Sequence, residues 1–78
     1  SLGWRRGVLV FDNTPLASAV DELNRYNRRQ LVITDPSIAK LKVVGTFPAT
    51  DLELVLAAAE DVYGLLVTHE GNTIRIHR

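Results

Sequence analysis

The groups in this chain that could do chemistry are two histidines, nine carboxylates, nine basic side chains and a few hydroxyls. Their spacing does not bring them together. His69 and His77 sit in two consecutive short apolar runs, whereas a metal site needs three or four converging ligands. With Gly71 and Asn72 as the centre of a tight turn, Glu70 faces Thr73, His69 faces Ile74 and Val67 faces Ile76, so the two histidines point to opposite faces. There is no cysteine to supply a thiolate. Ser18 falls inside a helical pattern, Ser37 in a turn, and no Gly-x-Ser-x-Gly run is present. The acidic neighbours Asp21–Glu22 and Glu60–Asp61 lie on helical stretches, where adjacent side chains diverge by roughly 100°, so they read as solvated faces. The glycines are scattered and form no phosphate-cradling loop. The residues therefore imply no catalytic set, no metal site and no cofactor, and a protein that is not an enzyme.

The one dense basic cluster is Arg25, Arg28 and Arg29. Cations at a helix C-terminus complement the backbone dipole by about 0.3–1 kcal/mol each, which is one account of it. The other is a contact surface, because arginine is enriched among interface anchors. The cluster runs directly into a short strand, Leu31, Val32, Ile33 and Thr34, expected to be a sheet edge. Edge strands leave backbone groups unpaired, and another protein can add a strand there without any conspicuous side-chain motif. Arg25, Arg28, Arg29, Leu31, Val32, Ile33 and Thr34 are thus the candidate partner-binding residues. Tyr26 belongs to the core edge or to the same surface, and Trp4, between Gly3 and Arg5–Arg6, is expected to pack over the domain's edge.

The elements that position these residues follow from periodicity. Gly7–Phe11 is a first strand, punctuated by Asp12-Asn13-Thr14-Pro15, with Thr14 expected as helix cap and Pro15 at the first helical position. Leu16, Ala19, Val20, Leu23 and Tyr26 recur at helical spacing, and that helix should end near Asn27. A second strand, Leu31–Thr34, stops at Asp35-Pro36, an irregular turn spans 37–40, and Leu41–Phe47 is a third strand broken by Pro48. Thr50-Asp51-Leu52-Glu53 reads as a capping box for a helix that buries Leu52, Val55, Leu56, Ala59 and Val62 and ends at Gly64. Leu65–His69 and Thr73–His77 close the chain as a hairpin whose core face carries Leu65, Val67, Ile74 and Ile76. A pattern also occurs twice: Phe11, Thr14, Leu16, Ala19 and Val20 return as Phe47, Thr50, Leu52, Val55 and Leu56, each 36 residues on. Two strand–helix units in this length predict one small α+β domain of order β-α-β-β-α-β-β, residues 7–78, preceded by a lead-in over residues 1–6.

Composition narrows the class further. With 46% hydrophobic residues the chain can build a core, although a domain this small buries only roughly 60% of its unfolded surface. Nine basic and nine acidic residues cancel, which argues against a nucleic-acid binder, since displacing counterions from phosphates takes a basic excess. No apolar run reaches the 18 or more residues of a membrane span, and no signal-peptide pattern opens the chain. With no methionine, Ser1 is not expected to be a translation start, and a membrane anchor can lie outside this segment.

Trp4-x-x-Gly7-x-Leu9-x-Phe11, Thr14-Pro15-Leu16, Leu23-Asn24-Arg25-Tyr26-Asn27, Asp35-Pro36 and Gly45-x-Phe47 together resemble the C-terminal periplasmic region of FecR-type anti-sigma regulators. The element order resembles the secretin/TonB short N-terminal signalling domain, two helices between a two-stranded and a three-stranded sheet. The resemblance implies the periplasmic, C-terminal part of a single-pass inner-membrane protein. It also implies a partner, the N-terminal signalling domain of a TonB-dependent outer-membrane transducer, and relay of an iron-siderophore signal. The extracytoplasmic-function sigma factor would be bound by a cytoplasmic part missing here. One alternative is the signalling domain of the transducer or of a secretin itself. Another is a small-ligand-binding regulatory domain.

Overall fold

A computed structural model describes the backbone of Leu2–Gly3 and all of residues 7–78. The expectation for Trp4, Arg5 and Arg6 lies outside the described residues. The elements are β1 (Leu2–Gly3), β2 (Val8–Pro15), α1 (Leu16–Asn24), β3 (Gln30–Ile33), β4 (Lys42–Pro48), α2 (Leu52–Asp61), β5 (Leu66–Glu70) and β6 (Thr73–His77), with a single 3-10 turn at Pro36–Ile38. From β2 onward this is the order β-α-β-β-α-β-β, an α+β fold with two helices and two small sheets. One sheet runs β1-β2-β4 and the other β3-β6-β5, so the two-residue β1 makes the smaller expected sheet three-stranded.

The two repeated units sit side by side. Their strands β2 and β4 pair antiparallel, with Leu9 opposite Phe47 and Phe11 opposite Gly45, and the Phe11 and Phe47 rings lie 6.1 Å apart at 39°. The repeat fails at its threonines, because the first strand does not stop at Phe11. It continues to Pro15 across an irregularity between Phe11 and Thr14, where Asn13 takes a φ of 53°. Thr14 Oγ1 accepts from the Asp12 N–H at 3.2 Å, and Pro15 stands at the N-cap with no side-chain capping bond. The loop after the 3-10 turn does the capping instead: Leu16 N–H donates to Leu41 C=O at 2.8 Å and Ala17 N–H to Ala39 C=O at 3.1 Å. The second cap is shifted by one. Asp51 rather than Thr50 is the N-cap, accepting from Leu54 N–H at 3.2 Å, and this leaves Glu53 free to pair elsewhere.

Both helices bury most of the stripe their spacing predicts, with Val55 half-buried against the core and the departures otherwise at the helix ends. Leu16, Ala19, Val20 and Leu23 are buried on α1, and Leu52, Leu56 and Ala59 on α2. α1 ends at Asn24, earlier than expected, in a tightened turn where Arg25 N–H meets Glu22 C=O and Tyr26 N–H meets Leu23 C=O. Tyr26 is consequently exposed. Val62 is 71% exposed, and Tyr63, one position on, packs against the core in its place. Gly64 supplies the left-handed stop at φ 66°, with Leu65 N–H reaching back to Ala59 C=O at 3.0 Å. The 3-10 turn is held by Asp35, whose carboxylate accepts from Ser37 N–H and Oγ. It places Ile38 fully inside, a burial that contributes roughly 1.5–3 kcal/mol.

β6 is the middle strand of its sheet. It pairs antiparallel with β5 in the register the Gly71-Asn72 turn dictates, Glu70 to Thr73, His69 to Ile74 and Val67 to Ile76. It pairs parallel with β3, Leu31 to Ile74 and Ile33 to Ile76. Leu31, Leu65, Ile74 and Ile76 are buried on the inner face, while Val32 and Leu66 stand exposed on the outer one.

Candidate partner-binding site

The arginine cluster does not act as one patch. Arg29 Nη2 lies 3.1 Å from Glu53 Oε1, fastening the α1–β3 turn to the first turn of α2. Both side chains are well exposed, so the pair is worth no more than about 1 kcal/mol. Arg25 and Arg28 are exposed and make no side-chain ion pair or hydrogen bond among the described residues. They stand beside β3, which is an edge strand of its sheet. Leu31 and Ile33 face inward, Val32 is 42% exposed on the outer face, and Thr34 N–H, just past the strand, still bonds Ile76 C=O at 3.1 Å.

Three asparagine and glutamine side chains build this corner. Asn27 Nδ2 donates to Leu23 C=O and Ala49 C=O, both at 2.8 Å, tying the end of α1 to the β4–α2 connection. Gln30 Nε2 donates to the carbonyls of Asn24 and Asn27 at 3.1 and 2.7 Å. Asn24 accepts from Leu31 N–H at 2.8 Å and donates to Leu31 C=O at 3.0 Å. Its amide thus occupies both groups that Leu31 would offer to an added strand. Sequence reasoning missed this, although Asn24 stands inside the Leu23–Asn27 motif, because an asparagine at a helix end most often bonds its own helix.

Each edge can be read by alternation, since successive residues direct their N–H and C=O to opposite sides of a strand. Gln30 N–H bonds Asn72 C=O and Thr34 N–H bonds Ile76 C=O, so even-numbered residues of β3 face β6 and only Leu31 and Ile33 face outward. With Asn24 on Leu31, the open pair is at Ile33. At the edge of the other sheet, the Tyr63 hydroxyl accepts from Val44 N–H at 3.0 Å and lies 3.5 Å from Val44 C=O. Such side-chain covers keep edges from pairing indiscriminately.

Among the described residues the two histidines do not converge. His77 Nε2 lies 2.9 Å from Thr68 Oγ1, while His69 is exposed on the opposite face of β5 and β6. Among the described residues no three His, Cys, Asp or Glu side chains gather as a metal site. The Asp35 carboxyl is held below its ordinary pKa by the Ser37 hydroxyl and then the Ser37 N–H, which favour its charged form. Between the helices and sheets lies an apolar cavity of about 30 Å³, lined by Phe11, Leu23, Phe47, Val55 and Tyr63 among others. That is room for a water or two, against roughly 300–1,000 Å³ for a small-molecule pocket. No helix among the described residues is long and apolar enough to cross a membrane.

Comparison with known proteins agrees with this frame. Two crystal structures of a proposed anti-sigma factor from Parabacteroides distasonis superpose with TM-scores of 0.80 and 0.79 at 28% sequence identity, each covering 96% of this chain and 35% of the other. The chain therefore spans about a third of the length of the structures it matches. No curated protein sequence matches it. The family model for the FecR C-terminal region matches residues 8–76, and with β2 to β6 except His77, both helices and the Leu23–Asn27 corner inside that match, the chain belongs to the FecR C-terminal family.

Proposed function

We propose that residues 7–78 are the protein-interaction module of a transmembrane anti-sigma regulator, with residues 1–6 leading into it. The module stands in the periplasm, carried by a single-pass inner-membrane protein. It binds the N-terminal signalling domain of a TonB-dependent outer-membrane transducer. Docking relays iron-siderophore status to an extracytoplasmic-function sigma factor held by the cytoplasmic part. The reading is supported by membership of the FecR C-terminal family and by likeness to a proposed anti-sigma factor. The observation that carries the site is that Arg25 and Arg28 project unpaired beside an edge strand whose Val32 is exposed. The contact comprises Arg25, Arg28, Arg29 and the β3 segment Leu31 to Thr34, chiefly through its side chains, because Asn24 guards the backbone at Leu31.

Calorimetric titration with the signalling domain of a transducer encoded beside the regulator tests it. Arg25→Glu with Arg28→Glu is expected to weaken binding about tenfold or more, the scale of losing interface arginines. The thermal midpoint should fall only modestly, by the helix-dipole contribution of about 0.3–1 kcal/mol each, since neither side chain has a partner to lose. Unchanged affinity would remove the arginine site. A small-ligand role finds no support in a 30 Å³ cavity.

A further inference from the structure

The outer edge of β5 carries the inference furthest. Leu65 N–H turns outward to Ala59 C=O, and Ile76 C=O, opposite Val67, is spent on Thr34 of β3. Residues 66, 68 and 70 therefore bond β6, and Val67 and His69 direct their N–H and C=O groups away from the sheet. No side chain or backbone group among the described residues covers them. Asn24 closes β3 at Leu31, leaving only the Ile33 pair, and Tyr63 interrupts the outer edge of β4 at Val44, whereas β5 offers four unmet backbone groups in uninterrupted succession at a two-residue spacing, the pattern an extended strand satisfies. Its surroundings are acidic. The C-terminal end of α2 abuts the start of β5 and carries Glu60 and Asp61, with no basic residue in the last turn to offset the helix dipole.

We infer that the outer edge of β5 is the strand-addition site of this module, and that it receives an extended, basic-flanked strand of the transducer's signalling domain. The inference rests on the proposed function and moves the main-chain half of the contact from β3 to the opposite edge of the same sheet. Three strands put those edges about 10 Å apart. A standard interface of roughly 800 Å² per partner spans that distance, so one docked domain reaches both the arginines and β5.

Amide hydrogen exchange of the labelled protein, alone and saturated with the transducer signalling domain, reads the contact directly. Exchange at Val67 and His69 is expected to slow about tenfold or more on binding, with little change at Leu66 and Thr68, which already bond β6. His69→Pro removes one outward donor without touching the ladder and should weaken binding about tenfold, while His69→Ala keeps the donor and the affinity. Glu60→Lys with Asp61→Lys should weaken it too, increasingly so at low salt. A complex that forms with Val67 and His69 still exchanging freely, and with His69→Pro binding normally, overturns the β5 site and leaves the proposed function standing. No binding at all overturns both. Protection that grows with the protein's own concentration, without the transducer domain, assigns the edge to a second copy and likewise overturns the inference.

Discussion

Asn24 and Tyr63 each spend a polar side chain on the backbone of an edge strand, and each bond can be removed singly. Asn24→Ala strips two bonds from Leu31 and is expected to cost about 1–3 kcal/mol, against about 0.5–1.5 kcal/mol for Tyr63→Phe, which loses the hydroxyl but keeps the ring. Denaturant midpoints measure both, and equal values would mean that Leu31 is rehydrated at no cost. Asp35 gives a pH signature. Its folded pKa lies below the unfolded one, so its contribution is complete above the ordinary carboxylate range and disappears as pH falls through the folded value. Ser37→Ala takes away the hydroxyl, the larger cause, and should raise the Asp35 midpoint in a carbon-detected carboxyl titration. An unmoved midpoint would locate the cause elsewhere. Neither edge contact was legible in the sequence, because only the fold brings Leu31 to Asn24 and Val44 to Tyr63.

At the scale of elements, what the sequence made plain was local. The last hairpin came out in its expected register because Gly71 and Asn72 fix the turn and a slip of one residue would bury His77 in place of Ile76. The helices came out on the right faces but with wrong ends, because a cap depends on where the preceding strand lets go. β2 runs through Asp12–Asn13 instead of stopping, so Thr14 never reaches the capping position. Of the site, the exposed arginines and the edge position of β3 were legible. The Arg29–Glu53 pair and the cover over Leu31 were not, since both join residues set by tertiary packing. Gly45 shows an element held by one small residue. Its φ is 150°, and an added Cβ would lie 3.0 Å from the Phe47 ring. Gly45→Ala is therefore expected to destabilise β4 by about 1–3 kcal/mol, with Phe47→Leu in the same chain recovering part of the loss by thermal melt. Failure of that rescue would assign the cost to backbone strain alone.

For the whole molecule, the division of labour is between two sheets joined through the helices and one hydrophobic core. The sheet containing β2 and β4 is interrupted by Tyr63 at Val44 on its β4 edge, while the sheet containing β3, β6 and β5 presents arginines at one edge and open backbone at the other. A formal net charge of zero thus conceals a sheet that is basic on one side and acid-flanked on the other. The parallel pairing of β3 with β6 has its own consequence. Gln30–Ile33 is matched to Thr73–Ile76, so β3 has no strand partner until β6 has been made. Long-range pairing of this kind slows folding and lengthens the interval in which apolar strands stand uncovered. It also makes β6 the most consequential place to cut: a premature stop after Gly71 removes the centre of a sheet and leaves β3 and β5 without a partner.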